Sequence, residues 1–130
     1  MTIRERIWGE DAQTIEAALE GADPDLARYV REFAYEEVMA RPGLDLKTRE
    51  LLAVAMLIAL GNPREISTHL AGALRVGATE VELRETIIHA ALYVGFPRAL
   101  GAMKVLEGVL RRRGADDGAA HGSAAPPQKR

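Results

Sequence analysis

The sequence predicts an all-α fold of about six helices in one domain, and three observations carry that prediction. Apolar residues recur three and four apart through most of the chain, and no segment alternates apolar and polar residues as a half-buried strand would. Residues that start and stop helices punctuate these stretches: Asp23-Pro24, Asn62-Pro63 and Thr79 before them, Pro42-Gly43, Gly61, Gly77 and Gly95 after them. Apolar side chains make up 48% of the 130 residues, too many for a disordered chain and enough for one modest core.

Each helix has a local cause. A first amphipathic helix covers about Gln13 to Leu19, with its start open toward the N-terminus. Asp23 caps the second, Pro24 takes the first helical position, and Leu26, Tyr29, Val30 and Phe33 form its apolar face. Arg41-Pro42-Gly43 ends it. Asp45 caps a third helix, Leu46 to Leu60, whose second half is apolar all round and is therefore expected to be central and buried on most sides. Asn62, Pro63 and Glu65 form a capping-box pattern for a fourth helix that ends near Val76-Gly77. Thr79 and Glu82 form a second such box, opening a fifth helix that runs to about Val94. Gly95-Phe96-Pro97 breaks the chain, and a last helix runs from Pro97 to about Arg113, where Arg111, Arg112 and Arg113 read as a solvated helix end. Residues 1–113 are the expected domain. Residues 114–130, rich in Ala, Gly, Ser and Pro, are expected to be a disordered tail.

Composition excludes several classes of function. With no cysteine, disulfides, thiolate metal sites and thiol redox chemistry are ruled out. A net charge of -2 with mixed signs leaves no electrostatic footprint for nucleic acid. The longest apolar run, Leu51 to Leu60, is about half of what a membrane span needs. The start of the chain has no apolar signal-peptide core, so a cytoplasmic location is expected. His69 and His89 raise the question of zinc, but HExxH spacing and a third ligand are missing, so no metal is expected. Neither a phosphate-binding glycine loop nor a nucleophile elbow is present.

Eight residues are candidates for chemistry or for the polar contacts around it. His69 lies one turn from Ile66 and Ala73, on the apolar side of its helix. It reads either as a packed core histidine or as a proton carrier served by a carboxylate. Glu50 and Glu65 are the carboxylates in reach, and their structural roles would be helix-dipole complementation and capping respectively. Glu85, His89 and Tyr93 form an i, i+4, i+8 polar stripe on an otherwise apolar helix, which must be paired, solvated or placed at an interface. Arg41 and Arg49 flank the turn before the apolar helix, and either can grip a carboxylate by both oxygens or make a structural contact.

The segments RPGLDLKTRELL (Arg41 to Leu52), HLAGALRVGAT (from His69) and ETIIHAALYVGFP (Glu85 to Pro97) together resemble the carboxymuconolactone decarboxylase family, over about Leu26 to Leu110. The resemblance implies an AhpD-like helical fold, assembled as homo-oligomers (trimers or hexamers) with sites near subunit contacts. The redox branch of that superfamily, similar to alkylhydroperoxidase D, uses a Glu, a Cys-x-x-Cys pair and a His. Here Glu50 and His69 match, while Asn62 and Glu65 occupy the cysteine positions, so dithiol peroxide reduction is impossible. The chain sides with the cysteine-free decarboxylases, although Tyr35-Glu36 and Met39 stand where those tend to carry a Trp-Gly pair and a second Trp.

The implied reaction, in aromatic catabolism through the β-ketoadipate pathway, is loss of carbon dioxide from 4-carboxymuconolactone. The departing carboxylate is vinylogous to the lactone carbonyl, so the ring holds the electrons as a dienolate and no cofactor is needed. A protein must grip the retained carboxylate, for which Arg49, Arg41 and His89 are candidates. It must also stabilise the oxyanion through His69 or Tyr93, and protonate the ring carbon through His69 backed by Glu50 or Glu65. Two other readings keep the fold: a proton-shuttling isomerase or hydrolase on another small oxo-acid, and a non-catalytic oligomeric binding protein.

Overall fold

The computed structural model describes residues 1–121, and all regular structure among them is helical. Helix α1 (Ile3–Trp8) passes through a single 3-10 turn (Gly9–Asp11) into α2 (Ala12–Ala22). Helix α3 begins at Pro24–Arg28 and continues without a break in π-helical winding over Tyr29–Val38. Then follow α4 (Leu46–Leu60), α5 (Pro63–Arg75), α6 (Glu80–Val94) and α7 (Phe96–His121). The six expected helices are α2 to α7. Helix α1 is additional, and it is nucleated by a reciprocal cap between Thr2 and Glu5.

The caps follow the sequence closely. Asp23 accepts from the Leu26 amide at 2.9 Å and Asp45 from the Thr48 amide at 2.7 Å. Thr79 and Glu82 cap each other reciprocally. Gly61 ends α4 at φ 79°, and its amide donates to the Leu57 carbonyl at 2.8 Å. A left-handed residue here lets α5 fold straight back along α4.

Two apolar clusters hold the chain together. The larger is shared by α4 to α7 and centres on Val54, Ile58, Leu70, Leu83, Ile87 and Leu106. The smaller sits where α1, α2 and α3 meet and is built on Ile7, Trp8 and Tyr35. Arg75 joins them by donating to the Ile7 carbonyl at 3.0 Å and to Asp11 at 2.8 Å.

Four sequence expectations are corrected. Only part of the apolar face assigned to α3 points inward: Val30 packs against the Ile7–Trp8–Tyr35 cluster, but Leu26, Tyr29 and Phe33 are more than half exposed, and the buried residues are Ala27 and Tyr35. The π winding, marked by the Met39 amide reaching the Ala34 carbonyl five residues back, rotates the later side chains away from their α-helical positions. Helix α4 is covered on one side only. Val54 and Ile58 are buried, but Met56 is 63% and Leu60 76% exposed. Helix α7 runs on through residues 114–121, which were expected in the tail; residues 122–130 lie outside the described residues. Arg112 is consequently not at a solvated helix end but donates to Ser67 Oγ at 2.8 Å. No helix among the described residues is long and apolar enough to cross a membrane.

Candidate functional site

The site begins with an acid that should not be buried alone. Asp45 fixes the start of α4, which places Glu50 in its second turn, facing α5 and fully buried. An ionised carboxylate removed from water is costly unless it is paired. His69 supplies the pairing from α5: its Nδ1 stands 2.9 Å from Glu50 Oε2. A carboxylate only accepts, so Nδ1 carries the hydrogen and donates, which leaves Nε2 as the nitrogen available to a ligand. The second oxygen, Glu50 Oε1, is buried and has no hydrogen-bond partner among the described residues.

Gly72, three residues after His69, makes room for this arrangement. A Cβ there would stand 2.8 Å from Ile7 Cγ2, 3.1 Å from Glu50 Oε2 and 3.4 Å from the Ile7 carbonyl oxygen. A side chain would therefore separate α1 from α5 and press on the carboxylate that holds His69.

His69 lines a cleft of about 970 Å³ between α2, α3 and the start of α5. Its apolar wall includes Ile15, Leu19, Val30, Phe33, Val38 and Met39. Its polar lining is Asp11, Thr14, Tyr35, Asn62, Arg64, Glu65, Thr68 and His69. Burial disfavours the imidazolium form of His69, but the Glu50 hydrogen bond and the negative charges of Glu50 and Glu65 outweigh it and raise the pKa above the ordinary histidine value. A protonated imidazole with Nε2–H facing an apolar cleft can deliver a proton to carbon. Tyr35 accepts a hydrogen bond from Trp8 Nε1 at 3.0 Å. Burial, opposed by that bond and aided by Glu50 and Glu65, pushes its phenol up to about 12.

The predicted site residues divide into three groups. His69 and Glu50 form the pair just described. Glu65 is on the cleft, and only half of its expected cap is made: Asn62 accepts from the Glu65 amide at 3.3 Å, but the Glu65 carboxylate does not reach back to the Asn62 amide. Its charge is thus free to act on His69. Tyr93 and His89 are elsewhere, in an apolar groove of about 650 Å³ between α4 and α6, with their rings 5.4 Å apart. Arg49 and Arg41 also lie outside the cleft. The Arg49 guanidinium donates to the carbonyls of Leu44 (3.2 Å) and Arg41 (3.0 Å), so it closes the turn before α4 instead of facing a ligand.

Sequence reasoning did not single out Trp8 or Arg64, and it marked Tyr35 and Met39 only as departures from the family pattern, without a role in the chemistry; all four line the cleft. Arg64 was legible in part, being next to Glu65 and one helical turn and a residue from His69. It is the one arginine or lysine lining this cleft, and among the described residues its guanidinium has no ion-pair or hydrogen-bond partner. The Trp8–Tyr35 pair spans 27 residues of sequence and carried no local signal. Among the described residues, no group of three or more His, Asp or Glu converges as a metal-binding set.

The chain is similar to known proteins over most of its length. Residues 24–108 match the model of the carboxymuconolactone decarboxylase family. The 4-carboxymuconolactone decarboxylase of Acinetobacter baylyi is 35% identical over 117 residues, covering 88% of this chain and 86% of the relative. The nitrosuccinic acid decarboxylase of Metarhizium robertsii is 36% identical over 108 residues, covering 81% and 74%. An uncharacterized 15.0 kDa protein of Paracoccus denitrificans is 30% identical over 95 residues, covering 71% and 70%. With an all-helical fold, a buried Glu50–His69 pair at its cleft and matches on this scale, the chain belongs to the carboxymuconolactone decarboxylase family.

Proposed function

We propose that this protein is a carboxy-lyase that removes carbon dioxide from a small carboxylated lactone of the 4-carboxymuconolactone kind, with His69 as the proton donor. The observation that carries this reading is the Glu50–His69 pair, which occupies Nδ1 and leaves Nε2 for a ligand, on the lining of a cleft that offers both an apolar wall and an arginine. Arg64 anchors the retained carboxylate: it lines the cleft, whereas Arg41 and Arg49 do not, and the Arg49 guanidinium is spent on the turn before α4. The departing carboxylate lies against the apolar wall, and the electron pair passes into the lactone ring. His69 Nε2 then protonates the ring carbon, with Glu50 and Glu65 stabilising the imidazolium that must be present beforehand.

The likeness to a nitrosuccinic acid decarboxylase supports a second substrate on the same chemistry. Nitrosuccinate also pairs a departing carboxylate with an electron sink, its nitro group, and keeps a second carboxylate for Arg64. Carbon dioxide release measured on both compounds decides between them. His69→Gln should keep the fold and most substrate binding while lowering turnover by roughly 100-fold or more, the usual scale for a general acid. A folded His69→Gln variant with full turnover would end the mechanism.

The reading extends to assembly and setting. Met56 and Tyr93, on the groove between α4 and α6, are more than 60% exposed, as are Leu60, Leu92, Phe96 and Leu100 on α4, α6 and α7. Exposed apolar side chains of this kind suit a symmetric contact with other copies of the chain, as a trimer or hexamer. It gives the Glu85–His89–Tyr93 stripe a place at the seam between subunits. The substrate class fits a role in aromatic catabolism in the cytoplasm.

A further inference from the structure

We propose that the Tyr35 hydroxyl is a catalytic hydrogen-bond donor to the substrate oxygen that becomes negatively charged as carbon dioxide leaves. The proposal rests on the decarboxylase reading. In that reaction the bond between the ring and the departing carboxyl carbon breaks. Its electron pair moves through the ring double bond onto the lactone carbonyl oxygen, and a proton from His69 Nε2 completes the ring carbon. No oxidant or reductant takes part. The step needs a donor at the oxygen besides the proton donor at the carbon, because one N–H cannot serve both at once.

Tyr35 is placed and prepared for this. It is in the wall of the His69 cleft and only 8% exposed. Its oxygen accepts the Trp8 indole N–H at 3.0 Å, and the two rings meet edge to face with centroids 4.8 Å apart. A phenol that accepts one hydrogen bond still has its own O–H to give, and among the described residues nothing accepts it. Tyr35 shares the lining of this cleft with His69, Glu65 and Arg64, the residues that handle the proton and the retained carboxylate. The same surroundings keep it protonated through the neutral range, as a donor must be. Trp8 is the positioning residue: by occupying one side of the oxygen it fixes where the O–H can point. Tyr93, the other tyrosine considered for this task, opens onto the α4–α6 groove instead.

The test uses two probes on the full chain by titration calorimetry at neutral pH. One is a tetronate carrying an acetate arm, which is a stable five-membered lactone enolate. The other is the saturated lactone with the same arm. The wild type should prefer the tetronate. Tyr35→Phe should weaken tetronate binding by roughly 10–100-fold and leave the saturated lactone within about twofold, because only the enolate presents the anionic oxygen. Trp8→Phe, which keeps the hydroxyl but frees it to rotate, should lose several-fold of the preference, and it serves as the second reading where Tyr35→Phe does not fold. A wild type without tetronate preference, or folded variants that retain it in full, would overturn the proposal. Carbon dioxide release from 4-carboxymuconolactone is measured separately. A tetronate preference that depends on Tyr35 in a protein that releases none would reject the decarboxylase reading and leave the donor assignment standing.

Discussion

Replacing Gly72 by alanine tests how tightly the site is held from behind. In the middle of α5, alanine is intrinsically favoured over glycine by about 1 kcal/mol. Here the new methyl would meet Ile7 Cγ2 at 2.8 Å, and because that methyl branches directly from Cβ of a buried side chain it has little room to swing aside, so Ile7 and with it α1 must shift. Overpacking of this kind costs about 1–3 kcal/mol, which outweighs the propensity gain. The expected net loss is about 1 kcal/mol, and for a domain of this size that lowers Tm by roughly 3–5 °C. The methyl would also stand 3.1 Å from Glu50 Oε2, the atom that orients His69, so the carboxylate must give by a few tenths of an ångström. Misplacement at a reacting group is costly, and a fall in kcat of roughly tenfold with little change in KM is expected. Gly101→Ala on α7 is the control: a Cβ there meets nothing within 4 Å, so it should raise Tm slightly and leave kcat alone. The assay is thermal unfolding followed by circular dichroism, with carbon dioxide release on the same samples. A Gly72→Ala protein with a Tm at or above wild type and full turnover would refute the argument that α1 and the Glu50 carboxylate are both pressed against this position.

Glu50→Gln should lower turnover by less than His69→Gln, roughly tenfold, and should move the alkaline limb of the rate profile to lower pH, because burial of His69 remains while the charge that opposes it is gone. The sign for stability follows from the same shift. His69 titrates higher in the folded than in the unfolded chain, so the pair stabilises fully below about pH 6.5 and loses that contribution as pH rises through the folded value. The Tm gap between wild type and Glu50→Gln should accordingly be wider at pH 6 than at pH 9, and a gap that widens with pH would contradict the assignment. For assembly, Leu92→Arg on the 73%-exposed crest of α6 should shift the chain to a monomer in light scattering at micromolar concentration; a wild type already monomeric there would remove the proposed contact.

The sequence by itself determined the elements that short-range chemistry controls. Caps at Asp23, Asp45, Asn62 and Thr79 and the left-handed Gly61 mark where helices begin and end, since each depends on residues within four positions of it. His69 and Glu50 were also legible, as a histidine on an apolar face and a carboxylate early in an apolar helix. Tertiary structure decided what depends on how helices lie against one another. Whether Glu65 caps or faces a cleft turned on a hydrogen bond that its carboxylate does not make. Arg49 looked like a ligand for substrate, but two backbone carbonyls of the preceding turn claim it. Tyr93 and His89 share a helical stripe that periodicity revealed, yet periodicity cannot say which of two grooves a stripe will face, and it faces the one without His69. Trp8 and Tyr35 meet only because α1 folds over α5 onto a stretch of α3 wound as a π-helix. Neither that winding nor a contact between distant segments leaves a local pattern in sequence, so the polar lining of the cleft became visible only in three dimensions.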